Sequence, residues 1–291
     1  MQTDTRLQTS NYATKPVTKA PAWHGLVAWD MLLNGMTTGL FLVAALSELV
    51  APDRFAAVAQ VAYPVALLLL LVDLLCLVLD LGDPLRFHHM LRVFKPSAPM
   101  SLGTWCLTIF AVPLTVAAAL SLLPAGGMTL AWVRRLVVVI GLLPALGSAV
   151  YKGVLLSTNA QPGWKDARWL GGYLTNSALM LGCAEMLVLS VLMRHVSAAA
   201  MLRPALGLLL VLNLVPLCLL AVDLRTTLSR LYTRWQLCGV GTLALGGGVL
   251  LPLCLLLVVD SPLSMLSAVM CIALGSLVIR FVIIMLPHAS A

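Results

Sequence analysis

The chain has 291 residues, of which 61% are hydrophobic and 10% are charged, and its mean hydropathy is +1.01. Soluble domains contain about 25% charged residues, so this composition excludes a soluble domain of ordinary type. Apolar stretches long enough to cross a bilayer recur along the whole chain, which predicts an all-α, polytopic transmembrane helix bundle. We expect contact with membrane lipid and no nucleic-acid partner.

The N-terminus begins with a polar segment. Residues 1–25 are rich in Thr, Gln and Lys, and a mostly apolar run follows at 26–50. That run is longer than the apolar region of a signal peptide and is not followed by a clear small-residue cleavage site. We therefore interpret it as a retained first membrane helix and divide the chain into a polar tail, 1–25, and a membrane domain, 26–291.

The apolar runs predict eight membrane helices. They fall at 26–50, 57–79, 101–123, 132–156, 173–193, 204–222, 236–259 and 263–286. An even number of helices places both termini on one side, together with the loops 80–100, 157–172 and 223–235; we call this the N-side. Lysines and arginines are more numerous there, which predicts that the N-side faces the cytoplasm. A basic surface that docks a partner subunit would give the same bias.

The loop 80–100 is unusually rich in charged and aromatic residues. Asp83 followed by Pro84 is typical of a helix start, and Ser101 is the expected cap of the third membrane helix. At about 100° per residue, one face of the predicted helix is apolar: Phe87, Met90, Leu91 and Phe94. The rest of its surface is basic: Arg86, His88, His89, Arg92 and Lys95. We expect an amphipathic interfacial helix that either anchors in lipid headgroups or docks a partner over a binding site.

Several ionisable residues lie inside the predicted membrane helices. Asp30, Asp73, Lys152 and Arg280 fall at a similar depth on the N-side, and Asn34 and Tyr151 share that layer. Charged groups in the hydrocarbon region are usually functional or paired. The layer therefore predicts either structural ion pairs or a polar pocket that opens toward the N-side. Glu185 and Asn213 lie deeper.

The sequence gives no pattern for a redox centre. The seven cysteines occur singly within apolar segments, unlike the clustered thiols of zinc or iron–sulfur sites. The five histidines lie outside the middle of the membrane helices, where axial haem ligands would be needed. We expect no haem, no iron–sulfur cluster and no metal site in this chain.

Three stretches resemble the NrfD/PsrC family of polysulfide-reductase-type membrane subunits. They are WDMLLNGMTTGLFLVAAL at 29–46, DLGDPLRFHHMLRVFKPSAPMSLGTW at 80–105, and YKGVLLSTNAQPGWKDARWLGGYLTNSALMLG at 151–182. The resemblance implies eight or more membrane helices, no bound cofactor, and a site for a quinone such as menaquinone or ubiquinone. It also implies a ferredoxin-like iron–sulfur subunit docked over that site, and a catalytic subunit that is often a molybdopterin enzyme.

The resemblance suggests roles for individual residues. Tyr151 matches the family tyrosine that reaches the quinone headgroup, and Asp30 occupies the polar position on the first helix that faces it. Two residues depart from the family pattern: Lys152 stands where a small or neutral residue is expected, and Asp30 where an uncharged residue or a histidine is expected. Family members often carry the partner on the periplasmic side, which conflicts with the charge bias.

We therefore expect a quinone-reactive subunit of a respiratory oxidoreductase that is not catalytic alone. Asp30, Asp73 and Tyr151 are the predicted catalytic residues, and loop 80–100 docks the partner through its five basic residues. The predicted quinone-binding residues are Trp29, Asp30, Asn34, Tyr151, Lys152 and Arg280. Two alternatives stay open: a proton-coupled secondary transporter, and a passive membrane anchor of a redox complex.

Overall fold

A computed structural model describes residues 21, 23, 25–81, 83–123, 128–259 and 261–289, and this part of the chain contains helices and loops but no β-strand. Most of the predicted polar tail, including His24, lies outside the described residues. The helices, in chain order, are α1 Gly25–Val50, α2 Pro52–Leu79, a 3-10 helix Pro84–Leu91, α3 Pro99–Leu122, α4 Met128–Ser157, α5 Leu170–Leu192, α6 Val196–Leu231, α7 Arg234–Gly241, a π-helical segment Thr242–Leu250, α8 Leu251–Val258 and α9 Pro262–Ala289.

The predicted all-α architecture with eight membrane spans is confirmed for the described residues. Eight helical stretches are long and apolar enough to cross a membrane, and α7, the π-helical segment and α8 together form one of them, Arg234–Val258. The sixth span is longer than its apolar run, because α6 has 36 residues and so extends about 54 Å. A hydrocarbon core of about 30 Å cannot contain it, and the charged last turns of α6 reach beyond the apolar layer.

Helices α1 and α5 form the centre of the bundle. In their most apolar windows 67% and 61% of the residues are buried, whereas the other spans have between 28% and 44%. The two helices touch backbone to backbone at Gly39 and Gly182, where a Cβ atom added to Gly182 would lie 2.0 Å from the carbonyl carbon of Gly39. A side chain at either position would prevent this approach, so both residues must be glycine. The contact resembles the small-residue contacts that join helices in membranes.

The start of α1 and the end of α9 meet at one end of the bundle. His288 Nε2 lies 2.7 Å from the backbone carbonyl of Trp23, and the Trp23 ring stacks on Trp164 at 5.5 Å. Trp164 belongs to the loop between α4 and α5 and is completely buried in an apolar cluster with residues of α1, α5, α6 and α9. This end corresponds to the N-side defined above.

The interfacial segment differs from the predicted amphipathic α-helix. It is a 3-10 helix over Pro84–Leu91, and Asp83 forms no side-chain cap but pairs with Arg86 at 2.9 Å. A 3-10 helix repeats every three residues, so Phe87 aligns with Met90 while Leu91 aligns with His88. The single apolar face expected from α-helical geometry is therefore split. Only Met90 is partly covered by the bundle.

The expected cap of the third membrane helix was wrong. Helix α3 begins at Pro99, with Ala98 at the cap position, so Ser101 lies inside the first turn. Its hydroxyl accepts from the Lys95 backbone N–H at 3.0 Å and donates to the Val93 carbonyl at 3.3 Å. Ser101 thus folds the end of the interfacial segment back onto α3 instead of capping the helix.

We expect Gly182→Ala to lower the thermal stability of the purified protein. The added methyl group would meet the backbone of Gly39, which cannot move aside as a side chain does, and overpacking of this kind costs about 1–3 kcal/mol. Gly239→Ala is the matched control, because nothing lies within 4 Å of a Cβ atom there and alanine favours the helix. Thermal unfolding in detergent measures both; equal melting temperatures for Gly182→Ala and the parent would contradict the close packing of α1 on α5.

Candidate functional site

A buried ion cluster joins three helices at the N-side end of the bundle. Lys152 on α4 places its Nζ 2.8 Å from Asp30 Oδ1 on α1 and 3.5 Å from Asp73 Oδ1 on α2. The same Nζ donates to the backbone carbonyl of Asp30 at 3.1 Å. All three side chains are buried, with Asp73 1% exposed. Two carboxylates share one ammonium group, so the cluster has one carboxylate in excess.

Asn34 extends this cluster toward the centre of the membrane. It lies one turn beyond Asp30 on α1, and its Nδ2 donates to Asp73 Oδ2 at 3.4 Å and to Ser148 Oγ at 3.1 Å. Ser148 stands one turn from Lys152 on α4, and both Asn34 and Ser148 are buried. Buried polar groups are stable when their partners are present, and here one amide satisfies groups on two other helices.

Tyr151 lies beside the cluster, on the side that faces α3. Its ring packs on Gly103, where an added Cβ atom would lie 2.0 Å from Tyr151 Cδ2. The ammonium of Lys152 lies 5.8 Å from the centre of the same ring, within the range of a cation–π contact. Gly103 therefore creates the space for the phenol ring, and Lys152 links the ring to the two carboxylates.

A pocket of about 420 Å³ opens at this place, a size typical of small-molecule sites. Its walls come from the start of α1, the end of α2, the start of α3, the end of α4 and the 3-10 helix. The polar and charged lining groups are Asp30, Asp80, Thr104, Tyr151 and Lys152, and the apolar and aromatic ones are Trp23, Val27, Met31, Leu77, Leu81, Met90, Met100, Leu155 and Leu156. A largely apolar pocket with a few polar groups on its wall suits an amphipathic planar ligand.

Five of the six predicted polar groups are close together. Asp30, Tyr151 and Lys152 line the pocket, whereas Asp73 and Asn34 lie behind Lys152. Arg280 on α9 is separate from them. It is completely buried, its Nη2 donates to Ser177 Oγ at 3.3 Å, and its Nη1 bonds to Ser276.

Trp29, predicted to bind quinone, points away from the pocket. Its ring is 46% exposed and meets Phe281 of α9 edge-on, with ring centres 6.4 Å apart. Consecutive residues of an α-helix lie about 100° apart around its axis. Asp30 faces the pocket, and Trp29 therefore faces α9 instead.

The basic residues predicted to dock a partner are all on the surface. Arg86, His88, His89, Arg92 and Lys95 are exposed. The rings of His88 and His89 contact each other edge-on at 4.4 Å, and His88 Nδ1 lies 3.1 Å from the Leu85 carbonyl. Met90, from the same 3-10 helix, lines the pocket. One short segment thus presents basic groups outward and covers the pocket inward.

A second ion pair, which was not predicted from the sequence, lies at the opposite end of the bundle. Glu48 of α1 accepts from Arg134 of α4 and, at 2.7 Å, from the hydroxyl of Tyr63 of α2. Glu48 and Arg134 each lie near a helix end, where an unpaired interfacial charge is common. The signal that could have indicated the pairing is the apolar sequence around Glu48, because an unpaired carboxylate there would be costly.

A hydrogen bond between two amide side chains joins α5 to α6. Asn176 on α5 donates to Asn213 Oδ1 on α6 at 3.0 Å, which ties these helices together. Among the described residues, no group of three or more His, Cys, Asp or Glu side chains is placed to hold a metal ion.

The bundle and its site define a multi-pass integral membrane protein with a buried ion cluster below a pocket at one end. The model of the family described as polysulfide reductase, the NrfD type, matches residues 8–290. The chain therefore belongs to this family, whose members are membrane subunits of polysulfide-reductase-type oxidoreductase complexes. The comparison with curated proteins found no match.

We expect Lys152→Met to destabilise the protein strongly. It would leave the carboxylates of Asp30 and Asp73 buried without a cation, and removing one partner of a buried ion pair costs about 3–5 kcal/mol. Lys165→Met is the control, because Lys165 lies exposed in the loop between α4 and α5. Thermal unfolding in detergent should separate the two variants. Adding Asp30→Asn to Lys152→Met should recover part of the loss, and no recovery would indicate that the cluster does not contribute through its charge.

Proposed function

We propose that this chain is the quinone-reactive subunit of a respiratory oxidoreductase complex in a bacterial plasma membrane. The observation that carries the proposal is the pocket at the N-side end, whose wall combines Tyr151, Lys152 and Asp30 with an apolar lining. A quinone headgroup has two carbonyl oxygens on a flat apolar ring, so it needs hydrogen-bond donors, apolar walls and a proton acceptor. Membership of a family of quinone-reactive membrane subunits supports the same function.

The pocket places two hydrogen-bond donors beside one proton acceptor. The Tyr151 hydroxyl and the Lys152 ammonium can donate to a quinone oxygen. When a quinol is oxidised, Asp30 can accept one of the two protons released, and the other leaves to water at the opening of the pocket. Because Asp30 and Asp73 share one ammonium, the cluster can hold a proton on its excess carboxylate while Lys152 stays paired. These groups thus act by positioning and proton transfer, while the electron chemistry belongs to the quinone itself.

The electrons would pass to or from a ferredoxin-like iron–sulfur subunit seated on the interfacial segment. That segment covers the pocket through Met90 and exposes Arg86, Arg92 and Lys95, so an acidic partner surface there would lie next to the bound quinone. A catalytic subunit, possibly of the molybdopterin type, would complete the complex. The basic N-side surface would then serve docking, which is the second possible cause of the charge bias named above.

A secondary transporter is the less favoured function. Transporters bind substrate near the membrane midplane, at broken helices that occur in both halves of the chain. Here Lys152 and its two carboxylates lie toward one end of the bundle, and the family is one of oxidoreductase subunits. A passive anchor differs from the proposed function only in having no quinone turnover, so activity measurements separate the two.

We expect Tyr151→Phe and Asp30→Asn each to lower quinol-linked turnover by about 10²-fold, because the first variant loses a transition-state hydrogen bond and the second loses a proton acceptor. Turnover with a soluble dye that bypasses the membrane subunit should stay normal in the purified complex. Tyr63→Phe is the matched control, because Tyr63 is buried away from the pocket and its hydroxyl donates to Glu48. Full quinol-linked turnover in both Tyr151→Phe and Asp30→Asn would contradict a quinone site in this pocket.

We expect the triple variant Arg86→Glu, Arg92→Glu and Lys95→Glu to release the iron–sulfur subunit while the membrane chain stays inserted. Reversing three exposed charges should replace attraction to an acidic surface by repulsion. The control reverses three basic residues at the opposite end of the bundle, Arg54, Arg135 and Arg194, and should leave the complex intact. Affinity purification at low and moderate salt gives the subunit ratio; an unchanged ratio in the first variant would favour a headgroup anchor.

A further inference from the structure

Trp23 is held in place by contacts on two sides. Its ring stacks on Trp164 with ring centres 5.5 Å apart and an angle of 28° between the planes. Its backbone carbonyl lies 2.7 Å from His288 Nε2. Trp23 also lines the pocket that contains Tyr151 and Lys152. Although Trp23 precedes the first turn of α1, both its ring and its backbone are held by residues from elsewhere in the chain.

Both partners of Trp23 are fixed by the end of α9. His288 lies in its last turn. Trp164 is completely buried, and its Nε1 donates to the backbone carbonyl of Ile283 at 2.8 Å. In an α-helix that carbonyl would accept from the residue four positions later, which here is Pro287. Proline has no backbone N–H, so Pro287 leaves the Ile283 carbonyl for the indole of Trp164.

The position of Trp23 therefore depends on a chain of contacts that runs from α9 through Trp164 and His288. Among the described residues, α1 and the segment before it contribute Trp23, Val27, Asp30 and Met31 to the pocket wall. Trp23 is the one indole of the pocket in this described part of the chain, and Asp30 on the same wall reaches Lys152. The pocket thus places an indole side chain on the same wall as a polar group and opposite others that can bind the edge of a ring.

We propose that Trp23 is the aromatic wall on which the ring of a quinone headgroup stacks, and that Trp164 and His288 are positioning residues that fix its plane. The inference rests on the quinone function proposed above. A planar ring gains most from an aromatic surface whose orientation is set before binding, because stacking depends on geometry and because no side-chain freedom is then lost on binding. This assigns headgroup selection to the segment before α1, and proton transfer to Tyr151, Lys152 and Asp30.

The first test separates binding from turnover in the assembled complex. Trp23→Leu should raise the KM for a short-chain quinol about tenfold, as expected for one lost stacking contact, while kcat and dye-linked turnover change little. Trp23→Phe should keep most of the affinity because a flat ring remains. Trp132→Leu is the matched control, since Trp132 lies exposed near the start of α4, at the opposite end of the bundle. An unchanged KM in Trp23→Leu would overturn the proposal.

The second test addresses positioning through His288. His288→Ala should raise the KM in the same direction as Trp23→Leu but by less, and His288→Gln, whose amide can donate to the Trp23 carbonyl, should restore it. His195→Ala is the control, because His195 lies between α5 and α6 at the far end. Equal KM values for His288→Ala and His288→Gln would show that the hydrogen bond does not fix Trp23. This pair also decides the proposal where Trp23→Leu prevents assembly.

A binding measurement distinguishes failure of this inference from failure of the proposed function. A short-chain naphthoquinone and a short-chain benzoquinone should bind the complex and quench tryptophan fluorescence, and most of the quenching should disappear in Trp23→Phe. If quenching persists in full in Trp23→Phe while Tyr151→Phe loses quinol turnover, the quinone binds in this pocket but does not stack on Trp23. The proposed function would then stand and this inference would fail. Full quinol turnover in Tyr151→Phe and Asp30→Asn, with no quenching, would refute both.

Discussion

The rest of the site depends on the burial of one ammonium group, that of Lys152, among three apolar helices. An ion without a partner in such surroundings costs several kcal/mol, so α4 can pack here only where carboxylates meet it. Asp30 on α1 and Asp73 on α2 supply them at 2.8 and 3.5 Å. The pairing therefore fixes the rotation of three helices about their axes, and it determines that the neighbouring Tyr151 lies in the pocket.

Close backbone contact supports this arrangement from the side of the central helix. The contact of Gly39 with Gly182 holds α1 against α5, and Gly103 on α3 leaves room for the Tyr151 ring. Neither of these two glycine contacts contributes a polar group to the site. Each instead sets a distance, because an extra methyl group would separate α1 from α5 in one case and displace the phenol ring in the other. Packing and charge thus specify the same geometry independently.

Much of the fold and part of the site could be predicted from the sequence, for identifiable reasons. Apolar runs of membrane-spanning length require helices in lipid, so the eight spans followed directly. The shared depth of Asp30, Asp73 and Lys152 could be counted along each helix, and these residues do meet. Depth alone does not give rotation about the helix axis, which is why Arg280 lies apart from them and Trp29 faces Phe281.

Other features depend on contacts between residues far apart in the chain. Glu48 and Arg134 are separated by 86 positions, and Trp23 and His288 by 265, so no local pattern links them. The interfacial segment was misassigned for a different reason. Its charges and apolar residues have an α-helical spacing, but seven of the eight residues of Pro84–Leu91 are exposed and gain little from α-helical packing. They adopt the tighter 3-10 form instead.

The two buried ion groups lie at opposite ends of α1, and this separation bears on how the protein could work. Glu48 is 18 positions from Asp30, or about 27 Å along the helix axis. Between them the rings of Phe41, Tyr63 and Phe110 pack together, with Phe41 5.1 Å from Phe110 and 5.8 Å from Tyr63. Buried rings packed in this way are costly to separate, whereas the pocket beside Asp30 is already formed. Exchange of a lipid-soluble substrate at one end leaves these rings in place, but carrying a solute past them along α1 would not. The packing of the bundle therefore favours chemistry at the N-side end over transport through the middle.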